Sequence, residues 1–114
     1  MSVTLNQEAV TNLQNKYSYL TNYGSSDPEE PIDPLAYVDS NGDHLIHIAA
    51  QLGDVETLSF LLDAGININQ TGDMGNTALH CAYSSKQLEA VELLLKRGAS
   101  TKILNKFEKL AQNQ

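Results

Sequence analysis

The sequence lacks most of the features that mark secreted, membrane or disulfide-stabilised proteins. It has one cysteine, Cys81, so no disulfide can form within the chain. No apolar run approaches the roughly 20 residues that a membrane-spanning helix needs. The first ten residues, MSVTLNQEAV, have neither the basic nor the apolar region of a signal peptide. These absences predict a cytoplasmic protein of one domain, with no membrane partner.

Basic residues are also scarce, and they are unevenly distributed. The net charge is −7. Residues 1–85 hold eleven acids against one base, a balance of −10, whereas residues 86–114 hold three acids against six bases, a balance of +3. The acidic part disfavours nucleic acid and would steer a basic protein partner towards it. Alternatively, this acidity serves solubility alone.

Motifs for catalysis or metal binding are absent from the sequence. It contains no glycine-rich phosphate loop, no nucleophile motif and no paired metal-ligand cluster. His44 and His47 are three residues apart, as metal ligands on a helix can be, but a structural role is favoured for His47 and for His80. Cys81 is interpreted as a buried thiol. We therefore predict a non-enzyme with no catalytic residue, cofactor, metal or small-molecule substrate.

What the chain does contain is an internal repeat, in which residues recur at a fixed offset of 33 positions, as from Gly42 to Gly75 (75 − 42). Six identical pairs keep this offset without a gap: Gly42 and Gly75, His47 and His80, Ala49 and Ala82, Leu61 and Leu94, Leu62 and Leu95, Gly65 and Gly98. A period of this length is typical of stacked-repeat proteins, in which each unit buries its apolar face against a neighbour. Such proteins usually work as binding surfaces.

The two units resemble the ankyrin repeat. They read NGDHLIHIAAQLGDVETLSFLLDAGININ from Asn41 and MGNTALHCAYSSKQLEAVELLLKRGASTK from Met74. The family pattern is a Gly turn, T-P-L-H-x-A-A, a Gly, then V-x-x-L-L-x-x-G-A-D-x-N. The resemblance covers residues 39–109 and implies a β-turn finger, an inner helix, an outer helix and a loop in each unit. The implied fold is an all-α solenoid of two full repeats with a truncated third repeat.

The spacing of apolar residues predicts the same helices, in pairs near 45–63 and 78–97. Asp54 is predicted to cap the second helix of the first pair, with Thr57 three residues further on. The predicted apolar stripes comprise Leu45, Ile48, Ala49, Leu52, then Val55, Leu58, Leu61, Leu62, then Leu79, Ala82, Tyr83, and finally Leu88, Val91, Leu94 and Leu95.

Several positions depart from the family pattern. His44 replaces its Thr, while Leu45 and Ala78 replace its Pro. Tyr83 replaces the second small Ala, and would either push the next layer away or point to the concave face. Lys86 replaces the Gly between the helices, where a left-handed turn costs a non-glycine residue about 1 kcal/mol. Drift at the end of a short array and a functional role are both open explanations.

The region before the repeats is predicted to cap the first of them. Thr4 and Gln7 fit a capping box, and a helix over 5–22 would carry an apolar stripe of Val10, Leu13, Tyr17 and Leu20 and end at Gly24. Residues 24–34, GSSDPEEPIDP, are predicted to form an acidic, proline-rich linker in which Asp33 and Pro34 could open one helical turn.

These observations divide the chain into residues 1–38, a capping helix with its linker, and residues 39–114, the repeats. The repeats are predicted over 39–71 and 72–104, with a partial third over 105–114 that ends before its helices. So short an array needs the cap to complete its core, or a partner.

The ankyrin resemblance implies that a partner binds at the finger tips and on the concave surface of the inner helices. The positions expected there are Asp39, Ser40, Asn41, Asp43, Gln51, Leu52, Asp73, Met74, Asn76, Tyr83, Ser84, Ser85 and Phe107, with Lys106 and Lys109 beside them. Acids mixed with a few apolar anchors suit a protein interface. The favoured function is a non-catalytic binder that inhibits a basic partner, such as a cognate toxin or effector. The alternative is a scaffold, adaptor or subunit of a larger complex.

Overall fold

This computed structural model describes residues 2–20 and 30–113, with side chains described for 7–20 and 30–112. The described part of the chain contains five α-helices. Helix α1 (Ser2–Lys16) comes first. Two pairs follow: α2 (Leu45–Leu52) with α3 (Val55–Asp63), and α4 (Ala78–Ser84) with α5 (Leu88–Lys96). Within the described residues, β structure is limited to an isolated bridge between Val38 and His44. The predicted all-α fold and its two helix pairs are confirmed.

Helix starts follow from side chains that accept the first free backbone N–H groups. Asp54 precedes α3, and its carboxylate accepts hydrogen bonds from the backbone N–H of Thr57 at 3.2 Å and from its hydroxyl at 2.6 Å. Thr77 precedes α4, where its hydroxyl accepts from the backbone N–H of His80, and His80 Nδ1 accepts from the backbone N–H of Thr77. The predicted cap at Asp54 is therefore confirmed.

The turns between paired helices need a left-handed residue in both repeats. Gly53 has φ of 72° between α2 and α3, and Lys86, at the equivalent position of the next repeat, has φ of 57° between α4 and α5. A β-carbon is disfavoured in this region of backbone space, so Lys86 keeps the repeat geometry at a cost in stability.

The core lies along the inner helices α2 and α4, which pack against each other and against the outer helices α3 and α5. Helix α2 contributes Leu45, Ile46, Ala49 and Ala50, and α4 contributes Ala78, Leu79 and Ala82, all buried. The small alanines allow α2 and α4 to approach closely. Ile46, which the predicted stripe omitted, is only 1% exposed. An inner helix packs against its own outer helix and against neighbouring repeats, so its buried face is wider than a single stripe.

Three predicted stripe residues are exposed instead. Leu52, at the end of α2, is 56% exposed, and Leu88 and Leu95, at the two ends of α5, are 70% and 40% exposed. Their neighbours Ala49 and Val91 are buried, so the helices keep the predicted phase. Leu88 is exposed because α5 is the last outer helix of the described stack.

Helix α1 is shorter than predicted and begins earlier. It starts at Ser2, which places Thr4 inside the helix rather than at its cap, and it ends at Lys16 rather than near residue 22. The chain turns there, with the backbone N–H of Leu20 donating to Tyr17 O at 3.0 Å. The predicted stop at Gly24 lies outside the described residues. Leu13 and Tyr17 are buried in the core.

Asp54 is the polar anchor of α1 on the first repeat. Its carboxylate accepts from Tyr17 Oη at 2.8 Å and from Lys16 Nζ at 3.1 Å, in addition to its bonds with Thr57. Burial would raise the pKa of Asp54, but these hydrogen bonds from Thr57, Tyr17 and Lys16 outweigh it and hold the pKa below its usual value. One carboxylate thus caps α3 and ties α1 to it.

Residues 30–38 return the chain to the first finger. Ile32 is 2% exposed, and its carbonyl accepts from Gln14 Nε2 at 2.8 Å, which connects this segment to α1. Asp33 O accepts from the backbone N–H groups of Ala36 and Tyr37, so the single turn predicted after Asp33 is present. Residues 24–29 of the predicted linker lie outside the described residues.

Residues 105–113 form the beginning of a third repeat. The finger at 105–109 is closed by hydrogen bonds from the backbone N–H of Asn105 to Lys109 O and from that of Glu108 to Asn105 O. A 3-10 turn, Ala111–Asn113, follows, and Ala111 is buried at the position that Ala78 holds in the second repeat. This turn is the equivalent of the first turn of an inner helix. None of the described helices combines the length and apolar character needed to cross a bilayer.

Candidate partner-binding surface

The three fingers stack into one continuous structure, here called the finger ladder: residues 39–43, 72–76 and 105–109. Asp43 Oδ1 accepts from the backbone N–H of Asp73 at 2.9 Å, which joins the first finger to the second. Met74 O accepts from the backbone N–H of Lys106 at 2.9 Å, which joins the second to the third. The structure therefore brings the predicted finger residues together, in step with the repeat offset.

Asx-type turns hold the first and third fingers. Asp39 Oδ1 accepts from the backbone N–H groups of Asn41 and Asp43, both at 2.9 Å. Asn105 Oδ1 makes the same pair of bonds, to Phe107 and Lys109. The amide oxygen of Asn105 thus accepts the same pair of hydrogen bonds as the carboxylate of Asp39. The turn therefore does not require the charge of Asp39.

Two histidines at equivalent positions of the repeats tie the inner helices to the loops that follow. His47 Nε2 lies 2.9 Å from Gln70 O, and His80 Nε2 lies 3.0 Å from Lys109 O. Both imidazoles are buried. The structural role predicted for these histidines is confirmed. Within the described residues, no three His, Cys, Asp or Glu side chains are grouped as metal ligands would be.

His44 differs from its counterpart Thr77 in the second repeat. Its Nε2 lies 2.9 Å from Gln70 Nε2, whereas its Nδ1 is buried with no hydrogen-bond partner among the described residues. Burial first, and the nearby His47 second, lower the pKa of His44. This histidine therefore favours its neutral form in the folded protein.

Asp43 has a different environment from the other finger acids. It is 8% exposed, and its Oδ1 lies 3.9 Å from His47 Nδ1 as well as accepting from Asp73 N. Its carboxylate is committed to joining two fingers, so it offers little charge to a partner. Asp39 and Asp73 are half-buried and remain the accessible acids of the ladder.

The finger tips carry the ladder's exposed apolar groups. Met74 is 47% exposed and Phe107 is 63% exposed, and the two occupy the same position in successive fingers. Ser40 and Asn41 are exposed in the first finger, and Asn76 is half-buried, with its Oδ1 accepting from Asn105 Nδ2 at 2.9 Å. Charge changes along the ladder, from acids alone in the first two fingers to Lys106 and Lys109 beside the acid Glu108 in the third.

The remaining predicted residues lie at the opposite ends of the inner helices and are here called the helix-end group: Gln51, Leu52, Tyr83, Ser84 and Ser85. Gln51 O accepts from Gln87 Nε2 at 3.0 Å, which holds the end of α2 to the start of α5. Leu52, Ser84 and Ser85 are exposed, and Tyr83 is half-buried against the edge of the core. An eight-residue helix is about 12 Å long, which sets the approximate distance from this group to the finger ladder.

Cys81 lies beneath the helix-end group and is not available for chemistry at neutral pH. Its Sγ accepts a long hydrogen bond of 3.7 Å from Gln51 Nε2. Burial raises the pKa of the thiol to about 11, so it stays protonated and unreactive.

Stacked helix pairs with a ladder of fingers define a helical repeat protein. A model for the family described as "Ankyrin repeats (3 copies)" matches residues 6–105, most of the chain. The chain therefore belongs to the ankyrin repeat family, with about three repeats, and the family resemblance is confirmed. Ankyrin repeats are protein–protein interaction modules and are generally non-catalytic.

The chain is also similar to several curated proteins. The chain is 47% identical over 51 residues to putative ankyrin repeat protein L92 of Acanthamoeba polyphaga mimivirus, covering 45% of this chain and 12% of that protein. It is 33% identical over 76 residues to the probable 26S proteasome regulatory subunit p28 of Saccharomyces cerevisiae, covering 65% of this chain and 33% of p28. It is 37% identical over 94 residues to palmitoyltransferase AKR1 of Naumovozyma castellii, covering 80% of this chain and 11% of that protein. The chain spans a third or less of each relative.

Proposed function

We propose that the finger ladder and the helix-end group form one surface that binds a basic protein partner. The observation that carries this proposal is the combination of accessible acids at Asp39 and Asp73 with exposed apolar side chains at Leu52 and Met74. Acids at the edge would set the association rate and its salt dependence, while the apolar groups would slow dissociation. This chain supplies no catalysis in that complex.

The distribution of charge along the ladder also gives the partner an orientation. The first two fingers carry the accessible acids Asp39 and Asp73, whereas the third carries Lys106 and Lys109 against one acid, Glu108. A basic surface would lie over the first two fingers and away from the third. Like charges at the third finger would disfavour the reversed arrangement.

The more specific form of the proposal is an inhibitor of immunity type. In that case the basic partner is a cognate toxin or effector, and binding covers its active site or the path of its substrate. The balance of −10 over residues 1–85 supports such a role, because many nucleic-acid-degrading or nucleic-acid-binding surfaces are basic. We infer a cytoplasmic site of action, where such a partner would be neutralised.

A role as a subunit or adaptor of a larger complex is the second candidate. Its support is the similarity to p28, which is named as a probable regulatory subunit of the 26S proteasome. An inhibitor would abolish the activity of the purified partner at one equivalent, whereas an adaptor would leave it unchanged.

Two substitutions that copy the third finger test the surface without disturbing the fold. Asp39→Asn follows Asn105, and Asp73→Lys follows Lys106, so both side chains already occur at these positions of the ladder. Partners are captured from the native host by the wild-type chain and by the double variant. We expect the double variant to associate about tenfold more slowly with the captured partner and to lose salt dependence.

Apolar anchors are tested by Tyr83→Ala and Leu52→Ala, which should speed dissociation by about tenfold each if they are central to the interface. Glu56→Ala, an exposed acid on the outer helix α3, is the matched control and should change neither rate. A partner whose binding responds to none of the changes at Asp39, Asp73, Leu52 and Tyr83 would contradict this surface.

A further inference from the structure

One asparagine of the finger ladder, Asn41, differs from every other asparagine in the chain because a glycine follows it. The chain contains ten asparagines, and the other nine precede larger residues. Gly42 has no β-carbon to shield its own peptide nitrogen, and an added β-carbon would meet no atom within 4 Å. The space beside the peptide bond between Asn41 and Gly42 is therefore open.

The side chain of Asn41 is also uncommitted. It is exposed at the tip of the first finger, and its amide makes no hydrogen bond with another residue of the described ranges 7–20 and 30–112. Four other asparagines in loops differ, because the amide oxygen of each accepts a hydrogen bond from a backbone N–H or from another amide. These four are Asn67, Asn69, Asn76 and Asn105.

An exposed asparagine before glycine can lose ammonia without an enzyme. The backbone nitrogen of Gly42 gives up its proton and attacks Cγ of Asn41, which forms a new N–Cγ bond. The Cγ–Nδ2 bond breaks, and Nδ2 leaves with that proton as ammonia, so that a cyclic succinimide remains. Water then opens the ring. Cleavage at Cγ gives aspartate, whereas cleavage at the main-chain carbonyl gives isoaspartate.

The turn of the first finger opposes this reaction. The backbone N–H of Gly42 donates to Asp39 O at 3.1 Å, and Asp39 Oδ1 accepts from the backbone N–H groups of Asn41 and Asp43, both at 2.9 Å. The attacking nitrogen is therefore released only when this turn opens. An exposed finger tip opens at a lower free-energy cost than the packed helices do, so the turn slows the reaction without preventing it.

We propose that Asn41 is a site of spontaneous deamidation and that the Asp39 turn sets its rate. Aspartate at this position adds a negative charge between Asp39 and Asp43. Isoaspartate instead routes the backbone through Cβ and adds one carbon to the turn, so the two hydrogen bonds to Asp39 Oδ1 cannot both keep their geometry. Because Asp43 Oδ1 also accepts from Asp73 N at 2.9 Å, isoaspartate would loosen the first finger from the second.

Peptide mass spectrometry of the purified whole chain, incubated at physiological pH and temperature, tests the site. We expect a species one charge more negative than the starting −7 to grow with time on ion exchange, with the amide-to-acid mass gain at Asn41. Asn41→Gln is the matched control and should not form this species, because ring closure from its longer side chain is slower. No conversion, conversion mainly at Asn69, Asn76 or Asn105, or an equal yield in the control would overturn the site.

Control of the rate by the turn has its own test. Asp39→Ala removes the acceptor of two backbone N–H groups, whereas Asp39→Asn keeps an acceptor there, as Asn105 does in the third finger. We expect deamidation to be faster than in the wild type for Asp39→Ala and unchanged for Asp39→Asn. Circular dichroism checks that both variants keep the fold. Equal rates in the two variants would overturn control by the turn.

The effect on a partner rests on the proposed function and is measured separately. Asn41→Asp carries the charge of the aspartate product from the start, and it should associate faster with a basic partner at low salt. An unchanged association rate would argue against the finger ladder as the binding surface. The mass measurement on the wild type decides independently whether Asn41 deamidates.

Discussion

At the residue scale, three positions show how far this chain tolerates departures from its own repeat. His44, Tyr83 and Lys86 each replace a residue that the other repeat or the family pattern supplies. The backbone geometry is nevertheless kept at His44 and Lys86, where the helix start and the left-handed turn match those of the other repeat. Packing of the surrounding repeats imposes the local conformation, and the cost appears as reduced stability rather than a changed fold.

His44→Thr should stabilise the protein by about 0.5–1 kcal/mol near pH 7.5. The threonine hydroxyl would cap α2 as Thr77 caps α4, and a buried nitrogen without a partner would be removed. Urea denaturation gives the free energy of unfolding for both proteins. The lower end of this range allows for the stability lost with the contact between His44 and Gln70.

The same variant should be less sensitive to acid. Because the folded pKa of His44 is lowered, the unfolded chain takes up a proton more readily, and stability falls as the pH drops below about 6.5. His44→Thr should lose less stability than the wild type between pH 7.5 and 5.5. An identical pH profile for the two proteins would show that His44 does not titrate in this way.

Lys86→Gly should stabilise the protein by about 1 kcal/mol. The residue has φ of 57°, where glycine avoids the strain of a β-carbon, as Gly53 does in the first repeat. Thermal and urea melts measure the gain. Ser85→Gly is the control, because Ser85 has φ of −92° and glycine there should only destabilise. A gain at both positions would refute the argument from backbone strain.

At the element scale, α1 is the part of the molecule that departs most from the predicted layout. It starts at Ser2 and ends at Lys16, and its attachment depends on a few residues near its C-terminal end. Asp54 accepts from both Tyr17 and Lys16 there, while Gln14 donates to Ile32 O. These hydrogen bonds therefore join the C-terminal end of α1 to the start of α3 and to the segment that contains Ile32.

Tyr17→Phe should destabilise the protein by about 1 kcal/mol, because the ring stays in the core while the hydroxyl bond to Asp54 is lost. Amide hydrogen exchange should show the largest loss of protection in α1. Tyr19→Phe is the control, since Tyr19 is 66% exposed and its change should be near zero. Equal effects of the two substitutions would argue against the Asp54 anchor.

At the scale of the whole molecule, stability depends on burial shared between repeats. Leu61 and Leu94 hold the same position in successive repeats and are 1% and 0% exposed. Leu62 and Leu95 are also equivalent, but Leu95 is 40% exposed because no further outer helix follows it among the described residues. The same residue type in the same register is thus core or surface according to its place in the stack.

Leu61→Ala should cost about 2–5 kcal/mol, because it removes buried methyl groups and leaves a cavity. This loss is a large part of the stability of a small domain. Leu95→Ala is the matched control at an exposed position and should cost less than about 1 kcal/mol. Equilibrium urea denaturation measures both. A small cost at Leu61 would show that the stacked helices do not share a rigid core.

The sequence alone determined the family, the repeat period and the order of the helices, because these follow from local spacing and turn chemistry. It also predicted the cap at Asp54, the bridging histidines and the left-handed turn at Lys86. The tertiary structure decided what depends on neighbours: that Ile46 is buried, that Asp43 is committed to joining two fingers, that α1 ends at Lys16, and that Leu88 is exposed. Burial is a property of the whole stack, since a residue's register does not reveal whether another layer lies beyond it.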